Sequence, residues 1–278
     1  STISRLGRHY VTLVSYFFLI TSKRRNMPRK SLRRRRSSKK AKRRPKSKKM
    51  RGGVTRKLLT RRKVSDLTRE IGLGHGGSLN TRIKEFVRPA LTNQSIRYAV
   101  QEYLAGGARK KDIVDKYGEI NNWDVCNVTD MYKMFEEATS FNQPLNNWNV
   151  SNVKNMWGMF YDAESFNQPL NKWNVSNVTD MGGMFLRARS FNQPLNKWNV
   201  SKVTCVSFMF SGAESFNQPL NNWNVSNVGY MSGMFEDATS FNQPLNNWNV
   251  SNVWRKEGMF RDATSFNQPL HAPWYQWG

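Results

Sequence analysis

The sequence predicts an α/β repeat solenoid of six 25-residue coils, each with a short strand and a short helix. A helical N-terminal cap and a disordered basic N-terminal arm precede it. Three observations lead there. Trp123, Trp148, Trp173, Trp198, Trp223 and Trp248 recur every 25 residues. Phe141, Phe166, Phe191, Phe216, Phe241 and Phe266 keep the same step, each opening the string FNQPL. A fixed period of about 20 to 50 residues marks units that bury their apolar side only against neighbours. Charge is also segregated: the 278-residue chain carries +25, with 34 Lys or Arg against 6 acids before residue 119, and 10 against 13 from there on. The array is close to neutral and the charge belongs to an appendage. An extended surface without a closed pocket points to binding rather than catalysis.

Residues 1–26 read either as a leader or as sequence upstream of a natural start at Met27. Their apolar run at residues 10–20 spans 11 residues, about 16 Å as a helix and short of the roughly 30 Å hydrocarbon core. Residues 27–63 form the basic arm. From residue 23 to 63 the chain holds 23 Lys or Arg and no acid, and such a segment buries too little apolar surface to offset its ordering entropy. Arg33, Arg34, Arg35, Arg36, Lys39, Lys40, Lys42, Arg43, Arg44, Lys46, Lys48 and Lys49 are its polyanion-binding residues. Counterion release would drive binding to nucleic acid with little sequence preference, and nuclear import would use the same residues. Residues 64–93 are a linker; GLGHGGS within it lacks the Gly-Lys-Ser/Thr ending of a phosphate loop. Residues 94–120 form the cap. Ile96, Val100, Tyr103 and Leu104 share one helical face before Gly106 and Gly107, and Ile113, Val114 and Tyr117 share another before Gly118.

The six units occupy residues 121–270. In the second, Trp148 and Val150 alternate with Asn149, the period of a short strand with Trp and Val inward. Met156, Met159, Phe160 and Ala163 follow at helical spacing. Pro169 restricts the backbone before it and marks the turn into the next coil. One Trp per coil between strand-type residues reads as core rather than as a ligand platform. The variable positions cluster on the helical flank, whereas the strand face repeats Asn149, Asn174, Asn199, Asn224 and Asn249. That uniform face suits a repetitive ligand, avidity or self-stacking, and stacked Asn can equally hydrogen-bond along the ladder. Residues 271–278 are an aromatic tail with Trp274, Tyr275 and Trp277.

Chemistry is sparse. Cys126 and Cys205 lie about three coils apart, on the order of 14 Å, too far for a disulfide. His9, His75 and His271 are dispersed and there is no Cys-x-x-Cys, so no metal set is assembled. No catalytic constellation and no cofactor site is expected. The Asn-Val-Ser triplets fall out of the repeat and say little about secretion.

The strings WNVSNVTDM, GMF and SFNQPLNNW resemble the repeats of BspA-like leucine-rich-repeat (LRR) surface proteins, known from bacteria, mycoplasmas, protists and large DNA viruses. The resemblance covers roughly residues 95–270. It implies an LRR-like solenoid with adhesive or protein-binding roles and no catalytic residues to carry over. Leu145, Trp148 and Val150 match the family's Leu-x-x-Leu-x-Leu, whereas the customary Asn falls one position early, at Asn152. The resulting expectation is a non-enzymatic protein whose coils bind a protein or another copy, tethered by its arm to nucleic acid or another polyanion. A virion or the nucleus is the favoured location, and a membrane partner is not expected. The alternative is a secreted or membrane-anchored adhesin at the cell surface.

Overall fold

The computed structural model describes residues 88–268. Two helices open it. Helix α1, Asn93–Ala105, starts at Thr92, whose hydroxyl accepts from the Ser95 amide while the Ser95 hydroxyl accepts from the Thr92 amide at 2.8 Å. This reciprocal pair satisfies two of the amides a helix start leaves open. Gly106, at φ 73°, ends α1, and helix α2, Gly107–Tyr117, stops at Gly118 with φ 82°. Ile96, Val100, Tyr103, Ile113 and Tyr117 are buried, but Leu104 is 41% exposed, so the inward face of α1 runs through Ala99 instead. A single 3-10 turn, Ile120–Asn122, leads into the repeats.

Successive units lie one upon the next. Parallel pairings join Asp130, Asn155, Asp180, Cys205, Tyr230 and Arg255, each to the residue 25 further on. One of these units is called a coil here. Between residues 123 and 268 no α-helix forms, and no strand exceeds a single pairing. The short strand and short helix expected in each coil are therefore absent.

The physical reason lies in where the backbone bonds go. In the segment read as helical, alternate amides donate to the next coil: Met131 to Asn155, Lys133 to Trp157, Phe135 to Met159 and Glu137 to Tyr161, at 2.7–2.9 Å. Other amides close four-residue turns, Met134 to Met131 and Ala138 to Phe135. Each such turn holds its third residue at positive φ, the arrangement of a type II turn. The columns are Lys133, Gly158, Gly183, Phe208, Gly233, Gly258 and Glu137, Asp162, Arg187, Gly212, Asp237, Asp262. A left-handed residue every fourth position cannot continue a right-handed helix. On the other side of the coil, Trp148 donates to Leu145 and Val153 to Val150, so turns replace the expected strand there as well.

The core is a set of ladders. Trp148, Trp173, Trp198, Trp223 and Trp248 are 2–4% exposed, and each indole N–H donates to the carbonyl 28 residues back, from Trp148 to Ile120 at 2.7 Å through Trp248 to Leu220 at 2.9 Å. Phe135, Phe160, Phe185, Phe210, Phe235 and Phe260 stack at 5.5–5.7 Å between centroids. Phe160 also stacks on Phe166 of its own coil at 4.1 Å. Among the described residues every buried side-chain nitrogen or oxygen has a partner.

The helices complete the first coil. In later coils the amide after Val153 or its equivalent donates back one coil, as Lys154 does to Thr129 at 2.8 Å. The first coil has none behind it, and the Asn93 side-chain oxygen takes that role, accepting from Thr129 at 2.8 Å. The Arg97 guanidinium donates to the Tyr132 carbonyl at 2.8 Å, and Tyr103 sets its ring edge-on to Trp123 at 5.7 Å.

Candidate binding surfaces

The repeat Asn residues named from the sequence, Asn149, Asn174, Asn199, Asn224 and Asn249, are all exposed. Their side-chain oxygens accept from the amide two residues on, at Ser151, Ser176, Ser201, Ser226 and Ser251, at 3.1–3.3 Å. An Asn or Asp side chain that bonds its own backbone two residues on makes a local turn. These five therefore shape their own coil.

Other columns carry the inter-coil ladder. Asn142, Asn167, Asn192, Asn217 and Asn242 each accept, one coil on, both a backbone amide at 3.0 Å and a Gln side-chain amide, as Asn167 does from Asn192 and Gln193. Asn152, Asn177, Asn227 and Asn252 donate to the carbonyl 26 residues back, and Lys202 replaces this Asn in the fourth coil. The FNQ triplet was legible in the sequence as a constant string; its bonding role was not.

The polyanion-binding residues Arg33 to Lys49 named above, the leader, the arm, nearly all of the linker and the aromatic tail lie outside the described residues.

The variable flank carries charges and rings that the sequence reading passed over. Arg189 bridges Glu164 and Glu214 in the coils on either side, at 3.6 and 3.3 Å. Arg187 faces Asp162 at 3.7 Å, and Arg261 bonds the buried Glu236 at 2.8 Å. Large side chains lie over glycines of an adjacent coil: a Cβ on Gly182 would meet the Trp157 ring at 2.7 Å, one on Gly229 the Trp254 ring at 2.5 Å, and one on Gly233 the Phe208 ring at 2.4 Å. The signal for these pairs was present, as a bulky residue 25 positions from a glycine. Trp254 is 56% exposed and tilts against Tyr230 at 4.4 Å.

Burial raises the Asp180 carboxyl above its ordinary range, with the Gly182 amide partly countering it. Burial and the nearby Asp180 charge push the Cys205 thiol up to about 12, so it is a poor nucleophile at neutral pH. Cys126 and Cys205 are both free thiols. Among the described residues no cluster of His, Cys, Asp or Glu could hold a metal ion, and no helix is long and apolar enough to cross a membrane.

The family described as Mycoplasma protein of unknown function, DUF285, matches residues 108–213 and 194–277. No curated protein and no solved structure matches the chain. The chain belongs to that family, and it is a repeat protein.

Proposed function

We propose that the chain is a non-enzymatic repeat protein, an LRR-like solenoid of the BspA-like kind, whose coils offer a surface for a protein partner or for another copy. Its basic arm tethers it to nucleic acid or another polyanion, in a virion or the nucleus. The observation that carries the first half is the exposure of the same side chain on successive coils, Asn149 through Asn249. Identical groups at one step per coil favour a ligand that itself repeats, where many weak contacts add. The charge segregation supports the second half, because 23 cations without an acid between residues 23 and 63 suit a polyanion.

The test exploits Asp124, which stands where later coils have Asn and whose carboxylate accepts from the Cys126 amide at 3.1 Å. Asn174→Asp, Asn199→Asp and Asn224→Asp together keep the turn acceptor and add three charges to the face. Loss of self-association or partner binding at unchanged melting temperature is expected; unchanged binding rejects this face as the interface. A second reading, a secreted or membrane-anchored adhesin, draws on the apolar run at residues 10–20. Mapping the mature N-terminus in the native source separates the two, since cleavage or retention upstream of Met27 supports the adhesin.

A further inference from the structure

On the flank of the first two coils an ammonium group sits among aromatic rings. Lys133 holds φ 52°, in a column where four of the other five coils place glycine. Its stem crosses Gly158 of the next coil, where a Cβ would approach Lys133 Cγ at 3.2 Å. Its Nζ lies 5.8 Å from the Tyr132 centroid, 5.5 Å from Trp157 and 5.7 Å from Tyr161, and it bonds the Glu136 carboxylate. Tyr132 and Trp157 stack at 5.3 Å with 20° between planes, and all three rings are half-buried. Later coils do not repeat the set: the positions of Trp157 and Tyr161 become Gly182 and Leu186, then Ser207 and Ser211.

We propose that Tyr132, Trp157 and Tyr161, with Glu136 beside them, form a site for a quaternary ammonium group, which Lys133 fills in the resting chain. Ring faces attract a cation within about 6 Å of their centroids, so the primary ammonium stands at the outer edge of that range for all three. A primary ammonium is strongly hydrated and returns to water readily, whereas a methylated one has no N–H to offer water and gains the aromatic faces. This site is separate from the repeated Asn face and stands or falls without it.

Calorimetric titration of the full chain tests it with choline, free trimethyllysine and the neutral tert-butyl isostere of choline. The first two represent a lipid headgroup and a modified protein, and the tighter names the source. The isostere should bind roughly tenfold more weakly than choline, the size of a desolvated cation–π contact. Lys133→Gly, which installs the residue of the neighbouring coils, should tighten choline. Tyr161→Ser, which installs the residue the fourth coil carries at Ser211, should weaken it roughly tenfold at an unchanged melting temperature. If Tyr161→Ser does not fold, Trp157→Ser, which installs the residue the fourth coil carries at Ser207, gives the same reading. Equal binding of the isostere, unaltered affinity in either variant, or no binding to Lys133→Gly overturns the proposal.

Discussion

Trp198 shows how a single side chain serves two coils. Its ring is 4% exposed, stacks on Trp173 at 6.4 Å, and its N–H donates to the Leu170 carbonyl at 3.1 Å. Trp198→Ala removes buried area and opens a cavity, while the Leu170 carbonyl keeps the Trp173 amide at 3.1 Å, and should cost about 3–5 kcal/mol in chemical denaturation. A near-unchanged midpoint would mean that the indole is not core. Asp180 makes the opposite kind of prediction. A folded-state carboxyl held above its unfolded value contributes stability that is fully present in acid and is lost as the pH rises through the raised value. Asp180→Asn keeps the acceptor for the Gly182 amide, as Asn155 keeps one for Trp157 at 3.0 Å. The variant should therefore melt higher than the parent at pH 7, with the gap closing in acid; a constant gap across pH would refute the burial argument.

At the scale of one coil, the turn segment resolves how a chain without helix or strand satisfies its backbone. Odd-numbered amides of residues 131–137 all donate forward, and the carbonyls of Asn155, Trp157, Met159 and Tyr161 in the next coil accept them, so the peptide dipoles align along the direction of stacking. The carbonyl end faces α1, and Arg97 meets it. A cation at an exposed carbonyl row is favourable for the reason it is favourable at a helix C-terminus. Arg97→Gln should cost about 1 kcal/mol, read by thermal melting, with the loss smaller at high salt. The positive-φ columns give a cleaner test. A Cβ on Gly183 has only ordinary contacts, at 3.8 Å and beyond, so Gly183→Ala tests the backbone alone at φ 58°. About 1–2 kcal/mol of destabilisation is expected, and less for Gly183→Asn. No difference between the two would count against the left-handed turn.

For the whole chain, nearest-neighbour bonding means that damage in one coil should propagate only through its two faces. The Trp198→Ala chain should lose its single melting transition and show two blocks, seen by hydrogen exchange as unequal protection before and after residue 198. Uniform loss would mean that the coils are globally coupled. The arm supplies a second test at this scale. With Arg33, Arg34, Arg35 and Arg36 changed to Ser, the slope of log affinity for duplex DNA against log salt should shrink by about 3 to 4, near 0.9 per phosphate contact removed. An unchanged slope would place the contacts elsewhere.

The inward set was legible because apolar residues recur at one step: Trp148, Val150, Met156, Phe160, Ala163, Phe166 and Leu170 are all buried, as are most of their equivalents. Apolar character at this period picks out the positions that face the core, whereas constancy alone does not, since the Asn149 column repeats as well and is exposed. It does not say which backbone conformation carries them there. Met156, Met159, Phe160 and Ala163 fit a helical face, yet Gly158 and Asp162 turn left-handed and the amides bond across coils. A neighbouring coil offers carbonyls at every second residue, and that offer exists only after stacking. The same limit hid the roles of the Asn columns and the aromatic grouping around Lys133. Asn149 and Asn142 both recur from coil to coil, but one closes a turn within its coil while the other binds the coil above it. Tyr132, Trp157 and Tyr161 meet only because coils one and two lie face to face. What recurs was written in the chain; what touches across coils was decided by the register in which they stack.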